Sequence, residues 1–152
     1  MRQAKCYSFL IVALLLIVSA ASVRAEVDQP VKPLALQGVM QQLGRDMQAV
    51  TGAIATEDWP SVAQLAEKIA QHAEPPLSEK VRILAWLGSD AKSFRGLDGQ
   101  LKDAANTLAD TAKSNAGRAV ITAFSEVQHS CLACHQKFRE PFVNHFYGTQ
   151  NE

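Results

Sequence analysis

The sequence predicts an all-α fold, an antiparallel up-down-up-down four-helix bundle. Four segments repeat apolar residues in steps of three and four, the spacing of one buried stripe along a helix. The connections between these segments are short or moderate, which favours antiparallel packing of neighbouring helices. Beyond residue 25, no run of alternating apolar and polar residues indicates a β-strand.

The first two helices are bounded by prolines and a capping aspartate. Pro33 suits the first turn of the first helix. The apolar stripe of that helix is Leu36, Met40, Leu43, Met47, Val50 and Ile54. The second helix opens with Asp58 as N-cap and Pro60 in its first turn, and Pro75 and Pro76 end it. Its stripe is Val62, Leu65, Ala66, Ile69 and Ala73.

The second half of the chain carries the other two main helices. Residues 77–88 are compatible with a short extra helix capped by Ser78, and glycines leave the boundary of the next helix open. The third main helix is predicted from near Leu97 to Ser114. Its inward residues are Leu97, Leu101, Ala104, Ala105, Leu108 and Ala112. The fourth follows a turn at 115–117 and is predicted to stop at Pro141. One side of it presents Val120, Ile121, Phe124, Val127, Cys131, Cys134, His135 and Phe138.

Residues 1–25 have the layout of a secretory signal peptide. Basic residues precede the apolar run 9–18, and Val23-Arg24-Ala25 offers a cleavage point after Ala25. The alternative is a retained membrane anchor, but the strong apolar run is roughly half of the ~20 residues that a span needs. We therefore predict a periplasmic protein with a single domain over 26–152 and no membrane span after cleavage.

Charge and cysteine content exclude some classes of function for this protein. The leader holds three of the 15 basic residues and none of the 15 acidic ones, so the mature chain carries a formal net charge of −3. That balance argues against a nucleic-acid partner, which normally needs a basic face. The mature chain keeps two cysteines, Cys131 and Cys134. A disulfide between them would close too small a loop to stabilise the fold much.

Cys131-Leu-Ala-Cys134-His135 is the C-x-x-C-H pattern of covalent haem attachment. Positions i, i+3 and i+4 share one helix face, so two thiols can form thioethers with one porphyrin while the imidazole binds its iron. A thioredoxin-like dithiol would need a strand-to-helix setting, and a zinc site would need about four ligands. The pattern predicts one haem c near the end of the fourth helix.

With this motif near its C-terminus, the sequence resembles the cytochromes c′ and related class II c-type cytochromes. The specific part of the resemblance is Cys131-x-x-Cys134-His135-x-x-Phe138-Arg139, and Gln-Gly-Val-Met at 37–40 is similar to the first-helix pattern of the family. The resemblance implies that Arg139 supports a haem propionate, the alternative being a solvated charge near a helix end. It also implies a homodimer through the first two helices. Many members carry a basic residue one turn before the Met40 position, where this chain has Leu36.

Met40 is the predicted sixth ligand of the iron, opposite His135. Antiparallel helices place the start of the first beside the end of the fourth, and Met40 comes early in the first. Met47 lies about 10 Å further along at ~1.5 Å per residue, so we expect it in the core. The alternative is that Met40 only lines an open distal pocket. His145, in a tail after Pro141, is a less favoured ligand that could cover a haem edge.

The ligation state separates two functions. Met/His ligation suits a low-spin, six-coordinate electron carrier that exchanges electrons with redox partner proteins and is not an enzyme. A five-coordinate iron suits the binding of small diatomic gases such as NO or CO. A haem enzyme such as a peroxidase is least favoured because the sequence offers no clear distal acid–base pair, although His145 leaves that interpretation open.

Overall fold

Five α-helices make up most of residues 32–148, the part of the chain that this computed structural model describes. They are α1 (Ala35–Ala55), α2 (Trp59–Ala70), α3 (Leu77–Leu87), α4 (Ala91–Lys113) and α5 (Gly117–Tyr147). A 3₁₀ turn, Gly88–Asp90, joins α3 to α4, and residues 32–148 contain no strand. The predicted signal peptide lies outside the described residues. None of the described helices is long and apolar enough to cross a membrane.

The four long helices pack as the predicted bundle, and the all-α fold class is confirmed. α1 packs on α2, α2 on α4 and α4 on α5, while the side between α1 and α5 has far fewer contacts. The short helix α3 lies in the connection between α2 and α4 and contacts α4. The bundle is therefore least tightly packed along the side where its first and last helices meet.

Local sequence signals set the limits of α2. The Asp58 carboxylate accepts a hydrogen bond from the Ser61 backbone N–H at 3.2 Å and another from its hydroxyl at 2.6 Å, and Pro60 lies in the first turn. The predicted cap is thus confirmed. The helix ends at Ala70, before the prolines expected to stop it, and Ala73 lies beyond it and is exposed. The His72 ring bonds the Ile69 carbonyl at 2.9 Å, in addition to the bond that this carbonyl accepts from the His72 backbone N–H at 3.3 Å.

Three other helix starts differ from the predictions. Pro33 precedes α1, whose N-cap is Leu34. Ser78 makes no cap, since α3 already begins at Leu77. α4 begins at Ala91 rather than near Leu97, because Phe94 continues its apolar stripe and packs edge-on against Phe138 of α5 with 5.3 Å between ring centroids. The energy of this packing outweighs the weak helix propensity of the glycines in the same segment.

The prediction that α5 stops at Pro141 is wrong, because the helix runs for 31 residues to Tyr147. A proline inside a helix removes one backbone hydrogen bond and costs about 3 kcal/mol. Beyond it, Phe142, Phe146 and Tyr147 pack against α3, and Phe146 is only 9 % exposed. Burial of these rings offsets the cost. Ile121, expected to face inward, is 58 % exposed, and Ala123 is buried on the inner face instead.

The buried side chains form two separate clusters along the bundle. The first, here called the main core, fills the bundle between α1, α2, α4 and α5, and its fully buried large members are Val50, Val62, Ile69, Leu108, Val120 and Val127. The second, here called the end cluster, consists of Leu34, Ile83, Leu87, Phe138 and Phe146 with partly buried rings around them, among them Trp86, Phe94 and Phe142. The boundary between the clusters crosses α5 at the cysteine motif.

Candidate haem site

The cysteine motif lies on α5 where one cluster gives way to the other. Cys131 is half-buried against the main core, and Cys134, one turn later, is half-buried against the end cluster. Burial raises the pKa of both thiols, and for Cys134 the negative charge of Asp98 raises it further. Both groups are therefore thiols at neutral pH, presented on one face of the helix at the cluster boundary.

His135 follows Cys134 directly and is exposed at the surface of α5. Partial burial lowers the pKa of its imidazole, and the positive charge of Arg139 lowers it further. At neutral pH the ring is therefore mostly uncharged. An uncharged imidazole has a free lone pair, which is the form that binds a metal ion.

Met40 lies on α1 near the same boundary. Leu36, one turn before Met40, packs with the end cluster. Val39 and Leu43, on either side of Met40 in the sequence, pack with the main core. The side chain of Met40 itself is 39 % exposed. On α4 the boundary falls between Leu97 and Leu101. The structure thus places Met40 and the cysteine motif at similar heights in the bundle, on the two neighbouring long helices with the fewest contacts between them. Its ligation of the iron stays a prediction.

These residues fit a covalently bound haem. A porphyrin is a flat, largely apolar disc with two charged propionates on one edge, so it needs apolar groups on both faces and one edge near water. The main core and the end cluster supply the apolar groups, and the two thiols lie one at each cluster. The lightly packed side between α1 and α5 offers access. The helices that border this side each carry an exposed apolar side chain near the boundary, Met40 on α1 and Leu132 on α5.

Arg139 lies one turn beyond His135 and is exposed. Its guanidinium makes no ion pair with any side chain in the described part of the chain. The structure places it near the motif, where its charge acts on the His135 ring. Its role toward a propionate stays a prediction.

The tail histidine lies away from the motif. His145 stacks on Trp86 with ring centroids 5.2 Å apart and an interplanar angle of 15°. It follows His135 by ten residues on the same helix, which is about 15 Å at ~1.5 Å per residue. This packing gives the tail a structural role and leaves His145 out of reach of an iron bound at His135.

A partly buried ion pair beside the motif was not predicted from the sequence. The His72 side chain, 9 % exposed, bonds Asp98 on α4 with 3.1 Å between Nε2 and Oδ1. This hydrogen bond raises the pKa of His72 against the opposing effect of burial, and it lowers the pKa of Asp98 to about 2. Asp98 also bonds Lys102 at 2.8 Å. The i,i+4 spacing of Asp98 and Lys102 was the only signal in the sequence.

A four-helix bundle with C-x-x-C-H on its last helix defines the class of c-type cytochromes to which the site residues point. The family model described as Cytochrome C′ matches residues 35–139, more than two thirds of the chain, and includes Met40, the cysteine motif and Arg139. The chain belongs to the cytochrome c′ family, as its sequence indicated, and the family implies a covalently bound c-type haem. Comparisons with curated proteins and with solved structures gave no match.

Proposed function

We propose that this protein is a periplasmic electron carrier with one haem, attached through Cys131 and Cys134, whose iron is bound by His135 and Met40. The bound haem supplies a one-electron iron couple. The observation that carries the proposal is the position of Met40, a thioether that is 39 % exposed on α1 at the height of the cluster boundary. A methionine with only a packing role would instead lie against the core, as Met47 does, which is half-buried against the main core.

The chain's own residues account for what such a carrier needs. His135 is uncharged at neutral pH and ready to bind iron on one side. A methionine on the other side saturates the iron and raises its reduction potential. The two apolar clusters exclude water from the faces of the porphyrin. The proposal involves redox partner proteins and no substrate to be transformed.

Gas binding is the second candidate, and one observation favours it. Met40 is 39 % exposed on α1, which has few contacts with α5, so a small molecule could reach the space beside Met40 if a haem were held at the cysteine motif. If the methionine lines that side without binding, NO or CO takes the sixth position.

The absorption spectra of the ferric and ferrous holoprotein, before and after addition of carbon monoxide, decide between the two. We expect low-spin spectra that do not respond to the gas in the wild type and high-spin, responsive spectra in Met40→Ala. Met47→Ala is the matched control, since it removes a methionine from the same helix two turns away and should leave the spectra low-spin. A wild type that is already high-spin and responsive would contradict Met40 ligation and favour gas binding.

The partner we propose on α1 and α2 is a second copy of the chain. Between Pro33 and Thr56 the only charged residues are Arg45 and Asp46, and Asp46 is buried in an ion pair with Lys68 of α2 at 2.7 Å. The solvent face of α1 is therefore nearly uncharged. Its glycines Gly38 and Gly44 leave open space in front of them. Such a face suits close packing against another helix and supports the homodimer that the family resemblance implies.

A further inference from the structure

The start of α1 has no capping group of its own. Its N-cap residue is Leu34, whose side chain accepts no hydrogen bond, and its first turn contains no acidic residue. The first N–H groups of a helix have no partners within it, and leucine is among the poorest residues at the N-cap. Left to local sequence, the first turn of α1 would fray.

Two residues from distant parts of the chain supply the missing acceptors. The Glu79 carboxylate on α3 accepts hydrogen bonds from the N–H groups of Ala35 and Leu36, each at 2.8 Å. The Tyr147 hydroxyl at the end of α5 accepts one from the N–H of Leu34 at 3.1 Å and donates to Oε1 of Gln37 at 3.5 Å. The negative charge of Glu79 also interacts favourably with the positive end of the helix dipole.

We propose that Glu79 and Tyr147, together called the first-turn clamp, are positioning residues that fix Met40 relative to His135. Met40 lies one turn beyond Leu36, about 6 Å along the helix at ~1.5 Å per residue. Its side chain is 39 % exposed, and the contacts between α1 and α5 are few. Within the clamp, Tyr147 ties the first turn of α1 to the helix carrying His135, and Glu79 ties the same turn to α3.

Of the two clamp residues, Glu79 lies inside the part of the chain that the family model matches and Tyr147 lies outside it. The family match ends at Arg139, so Tyr147 lies beyond it, on the part of α5 that continues past Pro141. Packing of Phe146 and Tyr147 against the end cluster brings the hydroxyl to α1. The helix that carries His135 thus also carries the Tyr147 hydroxyl that holds the first turn of α1.

The inference rests on the haem position of the proposed function but not on Met40 being an iron ligand. The test uses holoprotein variants Tyr147→Phe and Glu79→Gln, with Glu74→Gln as the matched control. Glu74 is an exposed glutamate that pairs with Lys80 and Lys102 and does not contact α1. The first readout is hydrogen exchange at the amides of residues 34–36, and the second is the carbon monoxide affinity of the ferrous protein.

We expect Tyr147→Phe to speed exchange at Leu34, and Glu79→Gln to speed it at Ala35 and Leu36, by roughly fivefold, the size of a lost cap. We expect carbon monoxide to bind to the ferrous form of both variants, whereas Glu74→Gln should stay as unresponsive to the gas as the wild type is expected to be. In a Met40→Ala background the clamp substitutions should add nothing further, because the clamp acts through Met40.

Unchanged exchange in both variants would overturn the clamp itself. Faster exchange with unchanged carbon monoxide affinity, or an equal effect in the Met40→Ala background, would overturn its action on Met40. A high-spin wild type would contradict the proposed ligation but not the clamp, since each variant is compared with the wild type.

Discussion

Cys131 packs against the main core, and Cys134, one turn later on the same helix, packs against the end cluster. The two thiols therefore lie on opposite sides of the boundary that crosses the bundle. A group bound to both would lie along that boundary, with apolar side chains on each side.

Replacing both thiols tests covalent attachment. We expect Cys131→Ser/Cys134→Ser to retain no haem after denaturation in acid, because serine forms no thioether with a vinyl group. Mass spectrometry of the denatured protein gives the mass of any attached group. Each single variant should keep haem through one bond, and haem mass in the double variant would contradict attachment at this motif.

Removing a ring from the end cluster tests the continuation of α5. We expect Phe146→Ala to lower the free energy of unfolding by about 3 kcal/mol, since the ring is buried against α3. Denaturant unfolding of the holoprotein measures it. Ile121→Ala is the control on the same helix, and its cost should stay below about 1 kcal/mol because the side chain is exposed. If both variants lower the free energy of unfolding by the same small amount, the end of α5 contributes nothing to stability.

The ion pair of His72 and Asp98 gives stability a definite pH dependence. The pKa of His72 is raised from 6.5, so its contribution is fully present below that value and disappears as the pH rises through the folded-state pKa. The pKa of Asp98 is lowered from 3.8 to about 2, so its contribution is present above 3.8 and disappears as the pH falls toward 2. The contribution of the pair is largest between these limits.

We therefore expect His72→Gln to lower the free energy of unfolding by about 1 kcal/mol near pH ~5.5, with allowance for the partial exposure of Asp98. Near pH ~8.5 the loss should be smaller. Urea unfolding at the two pH values measures the difference. His129→Gln, which changes an exposed ring on α5, should not show this difference between the two pH values. A loss of unfolding free energy that grows with pH would contradict the upward shift assigned to the pKa of His72.

A bulky charge on the face of α1 tests the homodimer. Gly44 is exposed with open space in front of it, so an arginine fits the monomer but would obstruct a helix packed against this face. We expect Gly44→Arg to sediment as a monomer where the wild type sediments as a dimer. Gly96→Arg, the same change on the open face of α4, should leave the dimer intact. A monomeric wild type would contradict the proposed assembly.

Sequence periodicity predicted the helices because most of the packing follows the apolar stripes. The Asp58 cap of α2 was predictable because its partner, Ser61, is only three residues away. The predictions failed where distant contacts decide the outcome. Pro141 would end an isolated helix, but the end cluster carries α5 past it. Likewise, the partner of His72 is 26 residues away, on another helix.

The sequence likewise predicted some residues of the candidate site and not the packing around them. Cys131, Cys134 and His135 follow from a local pattern, and the antiparallel topology placed Met40 at the correct end of the bundle. The boundary between two apolar clusters could not be predicted, since it depends on how side chains from α1, α4 and α5 align in space. The hydrogen bonds of Glu79 and Tyr147 to α1 carry no signature in the sequence at all.

The bond between Leu34 and Tyr147 joins residues 113 positions apart, nearly the full length of the described chain. Contacts that close so long a loop cost the most chain entropy, so they form late in folding. We expect the first turn of α1 to be ordered only after α5 has docked. The side of the molecule proposed to receive the haem would then be the last to become rigid, and the cysteines would stay accessible until that stage of folding.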